Sequence, residues 1–514
     1  ESALRTLAGR YAAHLAQNPE LDAATVAYTA NTARALHSHR LALVADSLAE
    51  MRDHLAVAAT GEAANGVSVG AVRAGKRRDV AFLFTGQGAQ YTGMGSELYA
   101  HEPHFSAALD TCAQLLAPHM DRTLAEILFG PESADLMARM EYAQPALCAM
   151  QVALCALWRA WGIEPGVVAG HSAGEYAAAI AAGVMGLEDG LRLSAVRGRL
   201  MAGTAADATR PARMAAVFAD AEVFNAVTAR LGISDNEVSI AAVNGPENLV
   251  ISGTRDAVQA VLDALQEEGI QSRPVAVTVA AHSPLMEPVL DAFEEAVRSV
   301  QLHAPQIDVV SAMYGRVATR AELTDPAYWR QQMRKTVRFG DVVEALHAAD
   351  YNAFVEIGPH PTLIGIAQRV LPGVEATWAP SLRRDHPEQR HMRASLGLLF
   401  TSGVAVDWQG YYGKEMRPRA LLPTYPFERQ NYYLRPAPRT AAGNAGRAGA
   451  HPLLGSPVRS PALQATVFEA ALSAQQPAFL THHRIHGAAL LPSPAFLEMV
   501  LAAGAQLFGA TPNA

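Results

Sequence analysis

The spacing of apolar and polar positions divides the chain into stretches of different character. Residues 1 to about 75 alternate helical patterns with one strand-like run, His39-Arg-Leu-Ala-Leu-Val-Ala45. GEAANGVSVG and the basic AGKRRD that follow read as a linker. At Val80-Ala-Phe-Leu-Phe84 the pattern predicts a fully buried strand running into the glycine-rich turn TGQGAQYTGMG. An apolar strand entering such a turn and then a helix is the entry to a parallel α/β layer. Gln151–Trp161 reads as helix, GVVAG (166–170) as strand, and Glu175–Ala182 as the start of another helix.

Between about 212 and 279 the period changes. MAAVFA predicts a strand, AEVFNAVTARL a helix, VSIAAVNG and NLVISG two strands, RDAVQAVLDALQEEG a helix and SRPVAVTVA a last strand. This βαββαβ order is that of a ferredoxin-like unit inserted in the larger domain. Helix–strand alternation resumes from Ser283 to about Gln368, with VEIGPHPTL as a strand running into a turn. Residues 385–435 are rich in Arg and Pro and read as irregular; a Pro-, Ala-, Arg- and Gly-rich linker then precedes a new unit at HPLLGSPV.

With 514 residues, the chain exceeds what one hydrophobic core organises, so two or more folded units are expected. Half the residues are hydrophobic and 18% are charged, a globular composition. The net charge is −8 and no Lys/Arg block stands out, so nucleic acid and anionic membranes have no electrostatic support as partners. Three irregularly spaced cysteines, Cys112, Cys148 and Cys155, suggest neither a disulfide framework nor a metal site, and they fit a reducing cytoplasm. The first residues lack the features of a signal peptide, and no apolar run reaches a membrane span. The absence of an initiator Met and the abrupt end suggest a piece of a longer chain.

Gly170-His-Ser-Ala-Gly174 matches G-x-S-x-G between an apolar strand and a small-residue helix, the context a nucleophile elbow needs. Ser172 would then stand at a helix N-terminus, where amides and the helix dipole stabilise negative charge. The plainer reading is a tight turn that happens to contain serine. A serine nucleophile needs a base, and His282, after an apolar run and before Ser283-Pro284, is the best placed histidine. Such a histidine is often only a polar cap. No Asp or Glu is placed to complete a triad, which leans away from ordinary hydrolases. Arg197 reads either as a surface ion-pair partner or as a guanidinium gripping a carboxylate through two parallel hydrogen bonds. The Gly86-Gln-Gly88 loop fits no nucleotide motif, but its amides could form part of an oxyanion hole.

Together these pieces resemble the malonyl-CoA:ACP transacylase family in the form found in type I modular polyketide synthases. FTGQGAQYTGMG is similar to its opening loop, YAQPAL to the lead-in, GHSAGEYAAA to the elbow and RGRLM to the segment with the substrate arginine. VNGPENLVISG falls in the small subdomain, and AAHSPLMEPV holds the family histidine, 110 residues after the serine. The resemblance implies an α/β-hydrolase-like large subdomain with a parallel sheet, the inserted ferredoxin-like subdomain and an α+β linker domain. It implies Ser172 as nucleophile and His282 as base, in a dyad whose imidazole is oriented by backbone carbonyls. It further implies oxyanion amides from Gln87 and Ala173, and Arg197 on the extender carboxylate, with His171, Val279, Ala280 and Ala281 around the substrate.

The units it implies are a ketosynthase-to-acyltransferase linker domain (1–78), the acyltransferase (79–384), a post-acyltransferase linker (385–435), a flexible linker (436–450) and an incomplete dehydratase (451–514). The last begins with HPLLGSPV and an H-x-x-x-G-x-x-x-x-P box at His483, and no dehydratase activity is expected from it. The implied substrate is an acyl-CoA, and the acceptor is phosphopantetheine on an acyl carrier protein. The adjoining ketosynthase and dehydratase are implied partners, and no cofactor or metal is expected to be held. Val279-Ala-Ala281 stands where members usually read HAF for malonyl or YAS for methylmalonyl. With Ala173 after the serine, two small residues lean toward a C2-substituted malonyl unit, although YAQPAL is more typical of malonyl-type members. The rival readings are a serine hydrolase or thioesterase, a non-catalytic docking scaffold, and a malonyl-only or starter-loading acyltransferase. A retained Arg197 counts against the starter-loading reading.

Overall fold

The computed structural model describes residues 1–72, 79–205, 211–275, 279–414, 417–430 and 451–509. It divides into two units, Glu1–Glu428 and Arg429–Ala514.

The first unit opens with α1 (Ser2–Gln17), α2 (Ala23–Thr32), β1 (His39–Leu43), α3 (Leu48–Thr60) and β2 (Val67–Ala71). The β2 segment lies in the stretch expected to be linker. It pairs antiparallel with β1, from His39 opposite Ala71 to Leu43 opposite Val67. Of the basic AGKRRD run, all but Asp79 lies outside the described residues, as does the linker at 436–450. Tyr11, Leu15, Val26, Met51 and Leu55 form a small separate core in this region.

β3 (Val80–Phe84) is buried at every position, as expected of a strand covered on both faces. It leads through α4 (Ser96–His101), α5 (Pro103–Leu116), α6 (Leu124–Phe129), α7 (Ser133–Ala138) and α8 (Met140–Ala160) to β4 (Pro165–Gly170). Next come α9 (Gly174–Ala181) and α10 (Leu187–Ala205). The inserted subdomain is β5 (Ala212–Val217), α11 (Ala221–Leu231), β6 (Val238–Gly245), β7 (Asn248–Thr254), α12 (Arg255–Glu267) and β8 (Ser272–Pro274). Its antiparallel sheet runs β6-β7-β5-β8, the ferredoxin-like order, over its own core of Val217, Phe224, Ile251, Val261 and Leu265. The last strand is shorter than expected: β8 ends at Pro274, Val279–His282 are irregular, and residues 276–278 lie outside the described set.

The chain returns through α13 (Glu287–Arg298), β9 (Asp308–Ser311), β10 (Arg316–Val317), α14 (Arg320–Leu323), α15 (Pro326–Arg334) and α16 (Phe339–Ala348). It continues with β11 (Ala353–Ile357), α17 (Thr362–Val370) and β12 (Thr377–Pro380). The six-stranded sheet runs β10-β9-β4-β3-β11-β12, parallel except for β10 at one edge. Helices cover both faces, with large apolar clusters on each. The fold is thus the expected α/β large subdomain carrying a ferredoxin-like insertion.

Residues 385–435 are not wholly irregular. They contain α18 (Glu388–Ser402) and α19 (Trp408–Tyr412). α18 buries Met392, Ser395, Leu396 and Leu399, a helical spacing interrupted in the sequence by Arg390 and Arg393. It joins two parts of the unit. Arg40 of β1 donates to the Phe400 carbonyl at 2.9 Å, and Arg390 pairs with Asp46 and Glu50. At its other end the buried Glu388 carboxylate accepts amides of Gly95 (2.6 Å), Glu97 (3.0 Å) and Leu98 (3.2 Å), capping α4 from outside.

The second unit contains two short hairpins, β13 (Ser456–Val458) with β14 (Val467–Glu469), and β15 (Arg484–Ile485) with β16 (Ala488–Ala489), and then α20 (Ser493–Phe508). His486 and Gly487, both at positive φ, make the two-residue turn of the second hairpin.

The Glu388 cap yields a stability prediction. Glu388→Ala orphans the Gly95 amide and two α4 amides at a cost of about 1–3 kcal/mol, and thermal denaturation of the full chain should show a lower melting temperature than wild type.

Candidate active site

At the end of β4 the backbone turns within three residues. The His171 amide still bonds the Phe84 carbonyl of β3 at 2.9 Å, and the Gly174 and Glu175 amides then bond back to His171 and Ser172, starting α9. Ser172 sits at φ 52°, the left-handed region that side chains other than glycine avoid. The two flanking glycines make this possible. A Cβ on Gly170 would collide with the Glu175 backbone, and one on Gly174 with the Phe84 carbonyl.

His282 lies on the irregular segment after the small subdomain, also at positive φ (57°). Its Nε2 is 2.7 Å from Ser172 Oγ, and its Nδ1 is 2.8 Å from the Lys335 carbonyl. A carbonyl accepts only, so Nδ1 carries the proton and Nε2 faces the serine as an acceptor. A backbone carbonyl therefore stands where a triad has its acid. Burial, and after it the Arg197 charge, pushes the His282 pKa down to about 3, which keeps the imidazole neutral.

Arg197 is buried, and it lies on α10, one helix beyond the one that follows the elbow. Its Nη1 donates to Gln144 Oε1 at 2.7 Å, and its Nη2 is a long 3.5 Å from Ser172 Oγ. Tyr176 lies with its ring centroid 5.6 Å from the guanidinium carbon. Nε of Arg197 has no hydrogen-bond partner among the described residues. Burial presses down on the arginine pKa, opposed by Tyr176 and Glu175, but a guanidinium stays charged in proteins. The surface ion-pair reading of Arg197 is excluded by this burial.

These groups border a cleft of roughly 120 Å³ between the two subdomains. Gln87, Gln144, His171, Ser172, Arg197 and His282 form its polar part. Met140 and Met201 from the large subdomain, and Met214, Ala242 and Val250 from the small one, supply apolar wall. Of the residues expected around a substrate, Arg197, His171 and Ala281 border the cleft, whereas Val279 and Ala280 do not. Without a strand's alternation there, Val279 turns into the main core, and Ala280 is held by its carbonyl, which accepts from Ser283 Oγ at 2.7 Å. Ala173 is buried at the helix start and is not among the lining residues either. In the second unit His483 is half-buried, its Nδ1 2.9 Å from the Leu490 carbonyl.

Residue-by-residue reading missed several groups that hold the site. Gln144 orients Arg197 and also donates to Gln87 Oε1 at 3.3 Å, and it lay in plain view within YAQPAL. Asn244, within VNGPENL, bonds His171 Nε2 at 3.0 Å from the small subdomain. Gln332 donates to the Ser172 carbonyl at 2.8 Å, and the Lys335 carbonyl carries no side-chain signal at all.

A serine–histidine pair at an elbow, a buried arginine beside it and a ferredoxin-like insertion over the cleft define an α/β protein built around a serine dyad. The chain belongs to the acyl transferase domain family, which matches residues 81–406. Residues 1–55 match the CurL-like polyketide synthase C-terminal family, and residues 451–513 match the polyketide synthase dehydratase domain family. Polyketide synthase GfsA of Streptomyces halstedii is 39% identical across 98% of this chain, which spans 7% of that protein's length. Mycoketide-CoA synthase of Mycobacterium tuberculosis is 37% identical across 98%, and the chain spans 12% of it. Among solved structures, the acyltransferase domain from the second module of the salinomycin polyketide synthase aligns with TM-score 0.68 at 38% identity, covering 78% of this chain and 92% of that one. The acyl transferase domain of SpnD in complex with 2-(pent-4-yn-1-yl)malonyl aligns with TM-score 0.70 at 31% identity, covering 78% and 94%.

The His282 environment yields a spectroscopic prediction. With its pKa depressed, the ring stays neutral from pH 8 down to pH 5, so its ¹³Cε1 NMR signal should hold still across that range. Titration of that signal near pH 6.5 would contradict the burial argument.

Proposed function

We propose that this chain moves a carboxylated acyl group from CoA to the phosphopantetheine thiol of an acyl carrier protein through an acyl ester on Ser172. The observation that carries the reading is the pairing of the 2.7 Å Ser172–His282 contact with a buried Arg197 that keeps unused donors beside it.

His282 Nε2 takes the Ser172 proton as Oγ attacks the thioester carbonyl. Amides of Gln87 and Ala173 hold the oxyanion, and the dipole of α9 favours its charge. When the tetrahedral adduct collapses, the C–S bond breaks and CoA leaves with the proton that His282 carried. The carrier thiol then gives its proton to His282, attacks the acyl ester and regenerates Ser172. Arg197, with Nη1 tied to Gln144, offers Nη2 and Nε to the carboxylate of the acyl group, two parallel donors on one planar edge. A hydrolase reading is disfavoured because His282 rests on the Lys335 carbonyl rather than an acid. The adjoining ketosynthase and dehydratase of a parent synthase complete the proposed set of partners, and a cytoplasmic setting suits CoA chemistry.

The acyl group we favour is a C2-substituted malonyl unit. Ala281 leaves room at the cleft wall, and three methionines, unbranched and adaptable, border the same space. The related SpnD domain was solved with a malonyl bearing a long C2 substituent. The support from Ala173 falls away, because it does not line the cleft.

Incubation with malonyl-, methylmalonyl- and ethylmalonyl-CoA should add one acyl mass to the intact protein and none to Ser172→Ala; an adduct retained in that variant would overturn the assignment. Arg197→Ala should cost roughly 3 kcal/mol, about two orders of magnitude in kcat/KM, for carboxylated acyl-CoAs only. Ala281→Phe should lower the methylmalonyl-to-malonyl kcat/KM ratio by about 10–200-fold, the range for about one methylene of lost space.

A further inference from the structure

Beneath the elbow lies a buried carboxyl that the transfer steps leave unused. Glu175 is fully buried on α9, three positions after Ser172. Its Oε1 accepts a short hydrogen bond from the Tyr328 hydroxyl, and its Oε2 accepts from Gln332 Nε2 at 3.2 Å. That same nitrogen holds the Ser172 carbonyl at 2.8 Å, so Glu175 is one bond away from the strained residue of the elbow. Ser311 Oγ, 2.7 Å from the Tyr328 oxygen, extends the chain of polar groups.

The titratable and charged groups around Glu175 come from several elements. α10 presents Arg197, α15 presents Tyr328, the segment after β9 presents Tyr314, and Tyr176 follows on α9 itself. On the remaining sides, Cys148 of α8 faces Tyr176, and His282 and His171 lie toward the cleft, where His282 feels the Arg197 charge. Arg197 is the one cation in this set and Glu175 the one carboxylate. Burial pushes Glu175 up to about 7, against hydrogen bonds from Tyr328 and Gln332 and the Arg197 charge.

We propose that Glu175 is a positioning residue, the buried counter-charge to Arg197 in one cluster around Ser172 without a direct ion pair between them, which takes up a proton when the carboxylate of an acyl group binds that arginine. The proposal rests on the reading of Arg197 as a carboxylate clamp. One guanidinium in a low-dielectric site cannot neutralise two carboxylates, and a second buried negative charge is relieved by protonation. The proton comes from solvent and is held without breaking the network. A protonated Oε1 donates to the Tyr328 oxygen, the phenol proton turns to Ser311 Oγ, and the Gln332–Ser172 bond stays in place. Binding of the carboxylated group therefore weakens as pH rises through the titration of free Glu175, while an acyl group without a carboxylate is indifferent to it.

The test measures the second-order rate constant of acyl-serine formation from methylmalonyl-CoA and from propionyl-CoA between pH 6 and 9. In wild type the methylmalonyl rate should fall by about tenfold per unit at most above pH 7, with no matching fall for propionyl. Glu175→Gln keeps the shape and hydrogen bonds, and its methylmalonyl profile should be flat. Wild-type protein in weakly buffered indicator solution at pH 7.5 should take up protons on acylation by methylmalonyl-CoA and not by propionyl-CoA, a readout that needs no variant. Identical pH profiles in wild type and Glu175→Gln, or no proton uptake, would overturn the proposal. Should Arg197→Ala abolish the preference for methylmalonyl while Glu175→Gln changes nothing, the clamp stands and only the role of Glu175 falls. A preference that survives Arg197→Ala removes the clamp and this proposal with it.

Discussion

The large subdomain is organised around one unfavourable backbone conformation. Holding Ser172 at positive φ costs free energy that only surrounding structure can offset. The restraints are visible on every side. β4 locks into the parallel sheet through β3 and β9, the glycines admit backbone contact too close for any Cβ, and Gln332 reaches from α15 to hold the serine carbonyl. Moving the serine back into an ordinary conformation would withdraw its hydroxyl from His282 and dismantle the start of α9. The sheet order, the helix that follows and the helix beneath are thus all conditions for a single exposed oxygen.

A second constraint is charge. Removing a guanidinium from water is tolerable only where hydrogen bonds and a counter-charge replace what water supplied. Gln144 satisfies one end of Arg197, Tyr176 offers a ring face, and the Glu175 carboxylate adds a favourable charge. Nη2 lies 3.5 Å from the serine oxygen. A buried cation with spare donors beside a neutral imidazole is a poor arrangement for stability alone, and it becomes intelligible when an anion is expected there. The depressed His282 pKa has the same origin, because burial and the neighbouring guanidinium both disfavour imidazolium.

Much of this was legible in the chain because its signals are local. The βαββαβ insertion shows in its alternating periods, and the elbow shows in two glycines around a serine between an apolar strand and a helix. What stayed hidden acts at a distance or through the backbone. The acceptor that fixes the His282 tautomer is a main-chain oxygen 53 residues away, which any residue type could supply. α18 was obscured by Arg390 and Arg393 within it and by the proline before it, although Met392, Ser395, Leu396 and Leu399 keep helical spacing. β2 was missed because GVSVG is short and half exposed, and its pairing with β1 gives it order that its composition does not suggest. Val279 and Ala280 were placed around the substrate by resemblance to the family segment before the histidine, and the irregular backbone there sets Val279 in the core and leaves Ala281 of the three along the cleft.

The placement of that segment bears on how acyl selectivity would be distributed under the proposed function. If the segment before His282 were a strand, changes at alternate positions would all reach the substrate, and a short motif would encode the choice. Here only Ala281 of the three borders the cleft, and the opposite wall is Met214, Ala242 and Val250 of the small subdomain. The small subdomain is joined to the elbow by the Asn244–His171 bond and to the segment between α15 and α16 by the parallel bridge between Ala242 and Val337. The room in the cleft is therefore bounded jointly by one alanine on a loop and by the β-sheet of the small subdomain. A substitution remote from the serine that shifts that sheet by a fraction of an ångström changes the cavity as effectively as a new side chain in its wall, since packed interiors transmit such displacements. Under the proposed function, selectivity belongs to the subdomain interface, with the segment before His282 as one of its edges.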